Sequence, residues 1–489
     1  MKIRTRLNIV VTLALFGVAF AGPAYAQPAY LQEYEATVDF FSGVYSGVGQ
    51  EVETSVTESF SYGGIPWLRL YFGECNLGEN SYLVVTSDLD GSEQTINAAE
   101  LANWGNTSAY FNGDTVTVEL VIAPGDDDIF YTVDSMVVGE WAEGDDSDGQ
   151  TESICGTTDN RVASTDNRGG RLRPMGCTAW LISNDSVLTA GHCVDADPDS
   201  VPGNCGPLLP DGVIDMNNTW VVEFNVPASL ANGTIVVSAA ADQYAVDVTG
   251  AQWRYDGCGQ GIGKDWAVFQ VFDNATTNTD PHIRFGFHRV TDANPAVNNT
   301  MRITGFGTDN LPPGTTGNRN VQNQTNQTHT GPYVDQIAGN NAADLIHRYV
   351  VDTTGGNSGS PIIWTTTNPD FTIGIHTNAG CGGTDASPTG ANQGTSFEVN
   401  ALETAIAQFP AGTGEEYVDT INYPLDGATL ENGTIFRPWN AVSEGVTGVP
   451  SNGQLLIVEG TYVIPANINM GTDGKAFTVV APVGTVTIR

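Results

Sequence analysis

Asp352-Thr353-Thr354-Gly355-Gly356-Asn357-Ser358-Gly359-Ser360-Pro361 sets a serine among glycines, in what reads as a tight turn. Small neighbours let a carbonyl group approach the Ser358 hydroxyl, and they leave backbone N–H groups free to face an oxyanion. Glycine-serine turns are common in loops, so the stretch takes its meaning from two others upstream. These are Leu188-Thr189-Ala190-Gly191-His192-Cys193 and Lys264-Asp265-Trp266-Ala267-Val268.

A serine hydroxyl is a poor nucleophile at its own pKa. It needs an adjacent base, and the base needs an orienting carboxylate. The chain has six histidines. His282, His288, His329 and His347 sit in strand- or loop-like settings with no small residues framing them. His192 follows the apolar Val187-Leu188 and a small-residue turn, and it adjoins Cys193. A disulfide from Cys193 to Cys177 would close two strands beside the imidazole and hold it in place. Taken alone, His192 reads as a turn histidine near a structural disulfide. Asp265 stands just before the apolar strand Trp266–Val271. An aspartate at the start of a buried strand must find donors, and a histidine Nδ1 is an apt one. The glycines at 257, 259, 261 and 263 are not a nucleotide loop, since no helical pattern follows them.

In the order His, Asp, Ser, these three stretches resemble the chymotrypsin-fold serine peptidases. Gly305-Phe306-Gly307 is similar to that family's Gly-aromatic-Gly strand end. The resemblance covers about residues 154–409 and implies two six-stranded β-barrels with the site in the cleft between them. It also implies Ser358 as nucleophile, His192 as general base and acid, and Asp265 as its orienter, with Gly356 and Ser358 N–H groups as oxyanion hole. Cys177–Cys193 is then a disulfide; Cys155, Cys205, Cys258 and Cys381 leave three pairings open. Asn357 departs from the Asp that many digestive members carry before the serine, and it cannot make the ion pair with a freed N-terminus by which those members are activated.

The same stretch, with Gly374-Ile375-His376, resembles the secreted bacterial glutamyl endopeptidases. That likeness implies that Thr353 and His376 line the S1 pocket and donate to a P1 carboxylate. Asp352 competes: an acid at this position binds P1 Arg or Lys in trypsin-like relatives. A degenerate peptidase domain, acting as a surface or adhesion protein through its flanking modules, is the reading from another functional class. The intact triad and glycines argue against it.

The remaining chain fits an exported protein. Residues 1–26 read as a secretory signal: Lys2, Arg4 and Arg6, an apolar run from Ile9 to Phe20, then Ala24-Tyr25-Ala26. No later stretch is long and apolar enough to span a membrane. The formal net charge is −38, with Lys+Arg 18 against Asp+Glu 56, which argues against a nucleic-acid partner. Protein or peptide substrates are the expected partners, with surface or polysaccharide contact through the flanking modules. Seven cysteines in an exported chain permit disulfides and leave one over. Cys75 is that one, because it is alone in its segment. None lies in a Cys-x-x-Cys pair, and no cofactor is expected. Asp195, Asp197 and Asp199 alternate in a loop after His192, an arrangement that suggests a structural calcium but lacks the glycine and terminal glutamate of an EF-hand.

The fold class expected is all-β. Residues 27–141 read as a β-sandwich, serving as propeptide or binding module. Val116, Val118, Leu120 and Ile122 alternate there, and Asp90-Gly91 and Asn112-Gly113 supply hairpin turns. Residues 142–153 have acidic linker composition, where proteolytic processing is expected. Residues 154–409 form the peptidase unit and end in a helix capped by Asn400 with Glu403, its stripe being Leu402, Ile406 and Phe409. A second linker, 410–420, precedes a β-rich module at 421–489, read either as the first rungs of a parallel β-solenoid or as a small sandwich.

Overall fold

The computed structural model describes residues 3–4, 33–139, 153–195, 213–256, 262–309, 320–339, 341–365, 369–408, 415–421, 431–464 and 475–489. The expected secretory signal lies outside these residues except for Ile3–Arg4, which pairs antiparallel with Glu35 and Ala36.

Six antiparallel strands close the first barrel: Gly169–Arg173, Cys177–Leu181, Val187–Thr189, Trp266–Val271, Gln243–Arg254 and Val221–Glu223, in that order round the wall. Burial does not alternate along four of them, every residue of which is buried, Arg171 and Arg173 included. Unbroken burial arises when a strand is covered on both faces. Side chains fill the barrel on one face, and other parts of the chain cover the other. An ion pair, Arg171–Glu223, is sealed here at 0% exposure for both side chains. It is tolerable because the guanidinium also donates to the Gln324 and Val236 carbonyls.

The second barrel runs Gln327–Ala338, Thr300–Gly305, Pro361–Trp364, Phe371–Asn378, Asn392–Ser396 and Leu345–Tyr349, and it closes where the last strand pairs back on the first. Val162–Ala163 adds to its edge. Met301, Ile303, Tyr333, Tyr349, Ile362 and Trp364 are among the residues of its core. The helix Asn400–Gln408 follows, with Leu402 and Ile406 at 0% exposure. Its first turn closes on the Val399 carbonyl, to which Glu403 N–H donates, so Val399 and not Asn400 caps it. Phe409 lies outside the described residues.

The N-terminal unit is a sandwich. One sheet contains Glu33–Phe41, Thr132–Gly139, Trp67–Phe72 and Phe111–Asn112; the other contains Glu53–Ser61, Thr115–Ile122, Tyr82–Ser87 and Glu93–Ile96. Val116, Val118, Leu120 and Ile122 all point into the shared core. Asp90-Gly91 does turn a hairpin, with Gly91 at φ +71°. Asn112-Gly113 does not. The strands on either side of it belong to different sheets, so it is a corner between layers.

At the C-terminal end, Glu415–Val418, Gln454–Ile457 and Thr478–Val480 pair in parallel, as do Gly460–Tyr462 and Val486–Ile488. Parallel stacking of successive turns of chain is the solenoid arrangement and not the sandwich. Glu415–Val418 falls within the stretch expected to be linker. It is the first strand of this module, and the alternating Tyr417 packs into the first barrel's cluster.

Candidate active site

Strand register brings His192 to Asp265. Val187–Thr189 runs antiparallel to Trp266–Val271, with Thr189 opposite Ala267. Two residues onward on one strand and two back on the other place Gly191 beside Asp265. Gly191 has no room for a Cβ, which would collide with the Arg254 carbonyl. The short helix Gly191–Cys193 then turns the imidazole onto the carboxylate. His192 N–H donates to Asp265 Oδ1 at 2.9 Å, and His192 Nδ1 lies 2.6 Å from Oδ2. An ionised carboxylate accepts only, so Nδ1 carries the proton and the Nε2 lone pair faces away from Asp265. Thr395 of the second barrel donates to the Asp265 carbonyl at 2.9 Å, tying this corner across the cleft. Cys177–Cys193 is a disulfide.

The serine turn is held from three sides. Thr178 N–H donates to the Ser358 carbonyl and Thr178 Oγ1 to the Gly356 carbonyl, both at 2.9 Å. Trp180 Nε1 donates to the Gly359 carbonyl. Gly359 N–H donates to the His376 carbonyl, and His376 N–H donates to the Ser360 carbonyl, both at 2.8 Å. Within the turn, Asn357 Oδ1 accepts from Thr354 N–H at 2.9 Å. Asn357 therefore has a structural duty that needs no ion pair. Gly356 has φ +92°, a conformation that favours glycine. Its N–H and that of Ser358 donate to no protein group among the described residues. The Ser358 hydroxyl and His192 Nε2 are both buried and have no partner there either. A Cβ on Gly305 would strike Ser360 and Thr178, and one on Gly307 would strike Arg161 and Thr354. The Gly-Phe-Gly strand end is what lets this turn sit so close.

The three S1 candidates fare differently. Asp352 is 1% exposed, and each of its oxygens is already engaged: Oδ1 accepts from Cys155 N–H at 2.7 Å and Oδ2 from Asn160 N–H at 2.8 Å. Thr353 forms a bridge with Ser153, and its Oγ1 accepts from Asn392 at 3.1 Å. His376 is fully buried, and burial pushes its pKa down to about 3. Tyr349 Oη lies 2.6 Å from His376 Nδ1, while His376 Nε2 has no partner among the described residues.

Several supporting residues were not singled out from the sequence. Thr178 holds two carbonyls of the serine turn, and its position beside Cys177 was the only sequence signal for it. Arg161 donates to Thr354 at 2.7 Å and pairs with Asp159 and Asp309. Gln324 Nε2 donates to the Phe306 carbonyl, under Gly356. Of the other histidines, His288 packs edge-on to Trp180, His347 bonds to Tyr333 Oη and the Ile373 carbonyl, His282 bonds to Asp280 and the Ser186 carbonyl, and His329 Nδ1 accepts from Asp352 N–H at 2.8 Å. Cys155–Cys381 is a disulfide, and Cys75 is free with its pKa raised by burial to about 11. Cys205 and Cys258 lie outside the described residues, as do Asp197 and Asp199 of the suggested calcium loop; Asp195 accepts from Trp253 Nε1 at 3.2 Å. No helix among the described residues is long and apolar enough to cross a membrane.

Two closed barrels, with a buried Asp–His pair on the first and a glycine-framed serine turn leading into the second, are the arrangement of a serine peptidase of the chymotrypsin type. Residues 157–398 match the Trypsin family model, and this segment is a serine endopeptidase domain of that type. Solved structures similar to it include a Glu endopeptidase in complex with MPD (18% identity, covering 52% of this chain and 97% of that one, TM-score 0.35). Others are the protease Anisep from Arthrobacter nicotinovorans (14%, 48% and 93%, TM-score 0.33) and the thermostable serine protease AL20 from an extremophilic microorganism (14%, 49% and 98%, TM-score 0.32). No curated protein sequence matches the chain.

Proposed function

We propose that the chain is a secreted endopeptidase that cleaves after glutamate through an acyl-enzyme. Ser358 Oγ attacks the scissile carbonyl while His192 Nε2 takes its proton. Asp265 holds the imidazole by Nδ1–H and stabilises the charge that forms on it. The unengaged Gly356 and Ser358 N–H groups receive the oxyanion. His192 then returns the proton to the leaving amine, and water releases the acyl group by the same steps.

The preference for glutamate rests on one contrast: Asp352 has both oxygens engaged, while His376 keeps a buried nitrogen unengaged one strand from Ser358. A P1 Arg or Lys would find the Asp352 carboxylate already committed to backbone N–H groups. A P1 carboxylate would meet His376 Nε2, which donates to it in the tautomer that carries the proton there, with Tyr349 Oη, 2.6 Å from Nδ1, then donating to Nδ1. The test is a peptide panel differing only at P1 (Glu, Asp, Arg, Lys, Phe), read with the secreted protein beside Ser358→Ala. Preference for Glu that disappears in the variant supports the reading. Preference for Arg or Lys keeps the triad and returns specificity to Asp352.

A further inference from the structure

The sandwich and the first barrel share one buried surface, and that surface is built unlike a contact meant to come apart. Its apolar part is continuous: Val221, Ile235, Val237, Ala240 and Ala245 of the peptidase belong to the same cluster as the sandwich core. Its polar part is buried and specific. Arg173, at the end of a barrel strand, is at 0% exposure. Its guanidinium lies 3.7 Å from the Tyr110 ring and 4.3 Å from the Trp67 ring, both in the sandwich, and donates to Glu33 at 3.3 Å. Its Nε and Nη1 have no acceptor among the described residues, so the ring faces replace water around that charge.

Arg69 reaches the other way. It leaves the sandwich to donate to the Thr219 carbonyl at 2.5 Å, while Ser108 and Thr107 hold the rest of its guanidinium. Backbone and side chain also exchange bonds in matched pairs. Tyr110 N–H donates to Gln243 Oε1 and Gln243 Nε2 donates back to the Tyr110 carbonyl. Val237 N–H donates to Asn112 Oδ1 and Asn112 Nδ2 to the Val237 carbonyl. Separation would strand two arginines and two reciprocal pairs that fit only each other.

We propose that residues 33–139 are a permanent subunit of this peptidase, one that stays seated when the acidic linker is cut, and not a propeptide that departs. The seat is also close to the chemistry. The strand carrying Arg173 turns directly into Cys177–Leu181, whose Thr178 holds the carbonyls of Gly356 and Ser358. The sandwich thus grips the outer strand of the hairpin that supports the serine turn.

The test uses the full chain with a specific cleavage site placed within 144–150. After cutting, the sample is diluted to about 10 nM, a range that tightly joined halves survive, and run on gel filtration with mass spectrometry of the fractions. The expected result is equimolar co-elution of the two fragments. A sandwich fragment eluting alone from folded peptidase overturns the proposal. The cut chain carrying Arg173→Met, which keeps the apolar stem and removes the cation, should come apart at a concentration about tenfold higher or more. Asn112→Ala, at the edge of the surface, tests the same point with little risk to folding; if neither variant shifts the separation, these side chains do not hold the seat. Co-elution is read by mass, so it is decided independently of whether any peptide is cleaved.

Discussion

Asp265 and Asp352 are two aspartates set into buried turns at the mouths of the two barrels, and they have opposite fates. Asp265 meets an imidazole and one backbone N–H. Asp352 accepts from two backbone N–H groups of the segment that leads into the peptidase; His329 Nδ1 lies 3.4 Å from its Oδ2 but accepts from the Asp352 N–H. Both are 2% exposed or less, so burial does not distinguish them. The donor does: backbone amides satisfy a carboxylate and leave it with a structural duty, whereas an imidazole that donates to it gains an orientation, with its far nitrogen turned away from the carboxylate.

The sharpest way to break this comparison is at the serine that gives Asp265 its purpose. Ser358→Ala should lower kcat by about 10⁶-fold with the fold intact, checked by circular dichroism beside the assay. Asp265→Asn should cost about 10⁴-fold in kcat, because an amide can hold the imidazole in the wrong tautomer. Asp352→Asn should leave the ranking of P1 residues unchanged and lower stability by about 1–3 kcal/mol, because one backbone N–H loses its acceptor. If instead Asp352→Asn removes cleavage after Arg or Lys, the two aspartates have exchanged importance.

His376→Ala sharpens the comparison from the other wall. The expected change is about a hundredfold loss in kcat/KM for P1 Glu over P1 Phe, with little change in kcat for Phe. Acid stability supplies the smallest effect. His347 and His376 are fully buried, and burial pushes each down to about 3. An unfolded imidazole titrates near ~6.5. Between those values the unfolded chain takes up protons that the folded chain refuses, so stability falls as pH drops from about 6.5 towards 3. A melting temperature that holds steady across that window would count against neutral, buried imidazoles at both positions.

The two flanking modules show how much of the fold was legible. Strict alternation at Val116, Val118, Leu120 and Ile122 marked a half-buried strand, and the structure buries all four. The same local signal could not distinguish a hairpin from a corner at Asn112-Gly113, since both need a glycine at positive φ. Nor could it show that Tyr417 belongs to the first rung of the C-terminal coil, because two adjacent apolar residues, Tyr417 and Val418, in an acidic stretch have no periodicity.

The sequence by itself singled out Ser358, His192 and the aspartate before Trp266 as candidates, because this chemistry demands particular residue types, each within its own short, recognisable frame. It also marked Cys75 as the odd cysteine and the barrels as β. Only the tertiary structure decided what each buried charge meets: that Asp352 is satisfied by backbone, that Thr178 holds the serine turn, and that Arg173 ends between Trp67 and Tyr110. Those pairings join residues more than thirty positions apart. No local pattern encodes them, since a buried polar group takes whichever partner the packing of the whole chain brings within reach.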